Sequence, residues 1–166
     1  AESPGHYIYP NITTTNLAGE VARIAGELRP DAIFIDGGGV GGGVVDRCQQ
    51  LGVDVIEINF GAGATQTDYA NMRAQCWGNL KAALVDGVRL PDLPELRTDL
   101  TGVEYGYNAR NQILLERKED MKKRGLSSPD YGDAFALTYA LPVYPNRSGY
   151  DGKQYATTQS DYDPYA

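Results

Sequence analysis

The arrangement that most limits the fold is a short apolar run, Ala32 to Ile35, that ends in Asp36 and opens directly into Gly37-Gly38-Gly39-Val40-Gly41-Gly42-Gly43. A brief apolar run bounded by turn residues suits a strand buried on both faces. Past the glycines, Val44 to Leu51 reads as a helix, with Gly52 placed to end it in the left-handed conformation. Val53, Val55, Ile56 and Ile58 then mark a second strand over Val53 to Asn59. Strand, glycine turn, helix, strand is a βαβ unit, so part of the sheet is expected to be parallel.

The other segments arrange themselves around this unit. His6 to Pro10 has β-like composition. Thr15 to Leu28 carries Leu17, Val21, Ile24, Ala25 and Leu28 on one helical face, with Thr14 or Thr15 as cap and Pro30 as stop. Gly61 to Thr67 is a loop of small residues. Asp68 is expected to cap a long helix whose stripe is Tyr69, Met72, Cys76, Leu80 and Leu84, most simply core packing. Pro91 to Leu100 has room for a short helix. Glu104 to Tyr107 and Gln112 to Leu115 flank a four-residue turn and predict a β-hairpin. Glu116 to Arg124 is a charged helical piece ended by Gly125. A final helix runs to Ala140, with Ser128 as cap and Pro129 in its first turn.

Composition excludes several classes. A 166-residue chain that is 42% hydrophobic buries one core without staples and is not wholly disordered. No apolar run approaches the ~18 residues of a membrane span, and the first ten residues lack the pattern of a signal peptide. Two isolated cysteines, Cys48 and Cys76, read as free thiols in a reducing compartment. A net charge of -7 argues against a general coat for nucleic acid. It leaves open an enzyme whose acids hold cations.

Three constellations bear chemistry. Asp36 stands at the carboxyl end of an internal strand, where α/β folds place their sites, although it could simply start the turn. Asp130 and Asp133 are three apart at a helix start and so share a face; alone, this is ordinary N-terminal charge bias. Taken with Asp36, they form the oxygen-ligand set that Mg²⁺ prefers, and two such ions can drive phosphodiester hydrolysis. The glycine run offers a rival: Gly37, Gly39 and Gly42 satisfy GxGxxG, and Glu57 lies twenty residues after Gly37 where a ribose-binding acid belongs. Against that dinucleotide reading, Asp36 sets a negative charge beside the pyrophosphate. The single histidine, His6, gives no partner to a nucleophilic Ser or Cys. Arg110, Arg117, Lys118, Lys122, Lys123 and Arg124 form the one basic stretch, either a solvated face or a phosphate-facing strip.

Four blocks, residues 31–47, 52–61, 115–125 and 127–138, resemble in order the C-terminal nuclease domain of tailed-phage terminase large subunits. The similarity spans about residues 15–141, and the ending Tyr162-Asp-Pro-Tyr is similar to terminase C-termini. The resemblance implies an α/β, RNase H-like mixed sheet flanked by helices. It implies a Mg²⁺- or Mn²⁺-dependent endonuclease, with two ions, that cuts concatemeric viral DNA during packaging. Asp36 and Asp133 match the family's metal-binding and catalytic acids, and Asp130 sits beside them in a DxxDA pattern as third ligand or supporting acid. The basic stretch and the loop 61–67 would border double-stranded DNA. Partners implied are the terminase ATPase domain, the small terminase subunit and the portal or procapsid, in the host cytoplasm and with no membrane. The family also opens its sheet with an Asp-bearing strand, and none of Glu2, Glu20, Glu27 or Asp31 fits that place. The expectation is therefore a nuclease domain over residues 1–141 that lacks its first strands, followed by a flexible Tyr-rich tail over 142–166. A non-catalytic fragment docking to the packaging motor is the remaining alternative.

Overall fold

The computed structural model of the protein describes residues 7–144. His6, Glu2 and nearly all of the tail expected over 142–166 lie outside the described residues. The elements run α1 (Thr14–Leu28), β1 (Phe34–Asp36), α2 (Gly41–Gln50), β2 (Ile56–Ile58), α3 (Met72–Val85), α4 (Pro94–Gly102), β3 (Tyr105–Tyr107), β4 (Ile113–Leu115), α5 (Lys118–Lys123) and α6 (Asp130–Leu137).

The βαβ unit forms as expected. β1 and β2 pair in parallel, with Phe34 opposite Ile56, Ile35 opposite Glu57 and Asp36 opposite Ile58. Successive strand residues point to opposite faces, and both faces are covered. Ile33 and Ile35 pack with Ala18, Val44, Val45, Cys48 and Val55 beneath α1 and α2. Phe34 and Ile58 pack on the other side with Met72, Cys76, Leu80, Ala136 and Leu137 of α3 and α6. Two cores therefore sandwich the sheet. Asp36, two residues after Phe34, shares its face and so looks toward α3 and α6.

Several boundaries depart from the sequence pattern, each for a local reason. α2 starts inside the glycine run, because the turn is closed by Gly41 rather than by the last glycine. A side chain at Gly41 would lie 1.8 Å from the carbonyl oxygen of Asp36, so only a hydrogen fits. The cap of α1 is Thr13, whose hydroxyl accepts from Asn16 N, not Thr14 or Thr15. The cap of α3 is Asn71, accepting from Ala74 N, not Asp68. Asp68 and Tyr69 instead run alongside β4: Ile113 N donates to Asp68 O at 2.7 Å and Ala70 N to Ile113 O at 2.9 Å. Tyr69 is thus off the helix, while Met72, Cys76 and Leu80 of the expected stripe are buried. Within the described part of His6 to Pro10 there is no strand; Tyr9 Oη donates to Glu20 of α1 at 2.8 Å.

The hairpin is antiparallel, with Tyr105 opposite Leu115 and Tyr107 opposite Ile113. Its turn is held by Asn108 Oδ1, which accepts from the amides of Arg110 and Gln112. Among the described residues the sheets are these two pairs, one parallel and one antiparallel, rather than one continuous mixed sheet. No described helix is long and apolar enough to cross a membrane.

Candidate active site

Asp36 is fixed by the turn it opens. Its Oδ1 accepts from Gly38 N at 3.1 Å and from Phe60 N, just past β2, at 3.2 Å. Two backbone donors on one oxygen hold the carboxylate at the carboxyl end of the parallel pair.

Asp133 comes from the first turn of α6, which packs against β1, α3 and α4. It is 7% exposed, and a charge so buried needs partners. It has three. Oδ1 accepts from Arg73 Nε at 2.8 Å and from Trp77 Nε1 at 2.9 Å. Oδ2 faces Lys118 Nζ at 3.0 Å, an ion pair outside hydrogen-bond alignment that leaves this buried oxygen without a hydrogen-bond donor. Arg73 is itself anchored by donating Nη1 to Glu116 O at 3.3 Å, and its guanidinium lies 6.0 Å from the Trp77 ring centre.

Asp36 and Asp133 are brought to the same side of the sheet. Cys76 of α3, on that side and fully buried, has its thiol pushed up to about 11, by burial first and then by the charges of Asp36 and Asp133.

Asp130 stands apart. Its side chain is 77% exposed, accepts from Ser128 Oγ at 2.7 Å and lies 3.7 Å from Lys118 Nζ. Ser128 therefore binds Asp130 rather than capping α6, and Pro129 takes the cap position with no side-chain bond. Among the described residues, no group of three His, Cys, Asp or Glu side chains is assembled to hold a metal ion.

The basic stretch divides. Lys118 is committed to Asp133. Lys123 pairs with Asp120 at 2.6 Å. Arg124 ties the foot of the hairpin, pairing with Glu116 and with Glu104 at 3.1 Å and donating to Gly102 O at 2.7 Å. Arg110 is in the hairpin turn, Arg117 caps α5, and Lys122 lies within it. The six cations thus do not make one uniform phosphate-facing strip, because half of them neutralise nearby acids.

Gly37 and Gly38 bear on the dinucleotide alternative. The amide of Gly38 is occupied by the Asp36 carboxylate, and the space beside Gly37 is filled by Glu57, whose Oε1 lies 1.9 Å from where a Cβ would stand. A pyrophosphate at this turn would meet two carboxylates where it needs free amides.

The chain is similar to the nuclease domain of the large terminase subunit gp2 of bacterial virus Sf6. For a lysine-to-alanine mutant of that domain with manganese, the TM-score is 0.64 at 20% identity over 80% of this chain and 76% of that one. The fold is the RNase H-like fold of a terminase nuclease domain. The domain without that substitution matches with a TM-score of 0.61 over 78% and 73% of the two chains, and the mutant with calcium at 0.62 over 77% and 73%, both at 20% identity. No protein-family model matches the chain, and no curated protein matches it by sequence.

Three residues of this site are absent from the sequence reading: Arg73, Trp77 and Asp99. Arg73 and Trp77 are four apart and so stack on one face of α3. A cation and the only tryptophan of the sequence, beside an apolar stripe, were the available signal. Asp99 sits in a proline-punctuated segment and carried none. In the fold it is 7% exposed, and its Oδ2 accepts from Gly132 N at 3.0 Å. Burial pushes the Asp99 carboxyl above its ordinary range, while the amides of Gly132 and Tyr131 pull the other way.

Proposed function

We propose that this chain is a metal-dependent DNA endonuclease of a viral packaging terminase, with its catalytic unit within residues 1–141. The observation that supports the reading is the fold shared with a terminase nuclease domain, on which Asp36, at the end of β1, and Asp133, in the first turn of α6, lie on the same side of the sheet. Oxygen donors of this kind suit Mg²⁺ or Mn²⁺, and the buried, hydrogen-bond-free Oδ2 of Asp133 is a fitting ligand atom. Asp36 and Asp133 would hold the cations, two in number, with Asp130 in support from the solvent side. When bound, such ions supply activation of water and stabilisation of the departing oxygen in phosphodiester hydrolysis. The solved Sf6 domains with manganese or calcium support a divalent cation in that fold.

The chain's own residues prepare this chemistry. Arg73 and Trp77 fix one oxygen of Asp133, so the other keeps a set direction. The Lys118 ammonium neutralises Asp133 and lies within 3.7 Å of Asp130, holding the acids together against their repulsion. Arg110, Arg117 and Lys122, with the loop 61–67, are the groups assigned to the phosphates of double-stranded DNA. The packaging ATPase, the small terminase subunit and the portal are the matching protein partners.

The direct test is nicking of supercoiled plasmid by the chain in Mn²⁺ or Mg²⁺, against EDTA. Cation-dependent conversion to the open circle supports the reading. An intact plasmid at high protein in both metals contradicts it and favours a docking role.

A further inference from the structure

We infer that Asp99 is a positioning residue for Asp133: from α4 it caps the start of α6 and sets the angle at which that helix presents Asp133. This rests on the assignment of Asp133 as a catalytic acid.

A helix start leaves its first amides without intrahelical partners. In α6 the cap position is Pro129, which has no side-chain oxygen to offer them. Asp130 N finds Ser128 O at 2.9 Å, and Asp133 N finds Pro129 O at 2.7 Å. Between them, Gly132 N donates to Asp99 Oδ2 at 3.0 Å, and the amide of Tyr131 is close enough to the same carboxylate to favour its charged form. The cap thus arrives from another helix, thirty-three residues away in sequence. A buried carboxylate held by amides at the positive end of a helix is directional, because each bond fixes the helix as well as the acid.

The residue between cap and catalytic acid shows how tightly the two are coupled. A Cβ on Gly132 would stand 2.8 Å from the Trp77 ring and 3.1 Å from Asp99 Cβ. Asp99 and Trp77 therefore close on the same glycine from two sides. The next residue is Asp133, and its Oδ1 accepts from the indole of that same Trp77. Asp99 holds the helix, the glycine lets the ring approach, and the ring holds the acid. Removing the first member lets α6 turn about its start and lengthens the last bond.

The sequence contains one tryptophan, so its indole ¹H–¹⁵N resonance reports on the bond to Asp133 without overlap. Asp99→Ala is expected to move that resonance upfield, toward a water-exposed indole, and to weaken Mn²⁺ binding about 10-fold or more, as loss of an outer-shell partner does. Asp99→Asn keeps an acceptor oxygen in place and is expected to restore both. An Asp99→Ala protein whose indole stays at the wild-type position overturns the inference, even if its denaturation midpoint falls. Should Asp99→Ala not fold, Asp99→Ser, too short to reach both amides, gives the same reading by the same rule. The indole measurement needs no cation. Failure of the wild-type chain to bind Mn²⁺ would thus count against the nuclease assignment, while the indole shift would still decide the role of Asp99.

Discussion

The indole of Trp77 and the carboxylate of Asp133 meet at 2.9 Å, on the oxygen that also takes the Arg73 guanidinium at 2.8 Å. This junction fastens α3 to α6 and is buried on both sides, with Arg73 and Asp133 side chains 13% and 9% exposed. Removing Arg73 takes away one of the three partners of Asp133 and leaves it Lys118 and Trp77. Arg73→Met is therefore expected to lower unfolding stability by about 2 kcal/mol, the worth of one charge-assisted hydrogen bond, in denaturant titrations. Adding Asp133→Leu to that variant should recover little of the loss, since it takes their partner from Lys118 and from the Trp77 indole as well.

Two glycines of one turn should respond differently to the same substitution. At Gly41 a methyl group meets the backbone carbonyl of Asp36, which cannot move without breaking the β1–α2 junction. At Gly37 it meets the end of the exposed Glu57 side chain, which can rotate away. Gly41→Ala is expected to cost about 3 kcal/mol or prevent folding, and Gly37→Ala about 1 kcal/mol or less. Thermal melts of the two variants check this. Equal losses would contradict it.

Cys76 is a test of the carboxylate pair that needs no substrate. Its thiol titrates at about 11, so at pH 8 it stays protonated and unreactive. Iodoacetamide at pH 8 should leave Cys76 unmodified in the native protein and alkylate it on unfolding, as mass spectrometry would report. In Asp36→Asn, one of the charges that raises the thiol is gone, and its titration point should fall.

Acid should loosen the hairpin foot. Glu116 titrates below its ordinary 4.5, chiefly because Arg124 hydrogen-bonds its carboxylate and secondarily because Glu104 N does. A carboxyl whose folded value is depressed contributes stability that is full above its unfolded value and is lost as pH falls through the folded one. The stability gap between wild type and Glu116→Gln is thus expected to be complete at pH 7 and to shrink below pH 4.5. A gap that is constant from pH 7 to pH 3 would show that this carboxylate has no such linkage.

The βαβ unit and the hairpin were legible because their signals are local: apolar runs bounded by glycines, and two short strands around an Asn-rich turn. Helix starts were less so. Thr13 and Asn71 are caps of ordinary type, but several Ser, Thr, Asn or Asp residues compete near each start, and tertiary pairing of Asp68 and Tyr69 with β4 decided one of them. Asp36 and Asp133 could be singled out because each sits at the end or the start of a recognisable element. Their supports could not. Arg73, Trp77 and Asp99 act across 33 to 60 residues of sequence, and nothing in their immediate neighbours marks them. The net charge of -7 likewise says nothing of placement: Lys118, Lys123 and Arg124 are each paired with an acid close by in the fold, which a sum over the sequence does not reveal.

The claim that Asp36 and Asp133 serve one reaction is tested most directly by a cycle of Asp36→Asn, Asp133→Asn and the double variant in Mn²⁺-dependent plasmid nicking. Residues that act as a unit are strongly non-additive. Each single variant is expected to lose about 10³-fold or more, and the double variant to be no slower than the worse single one. Single variants that keep wild-type nicking, or losses that multiply in the double variant, would contradict it.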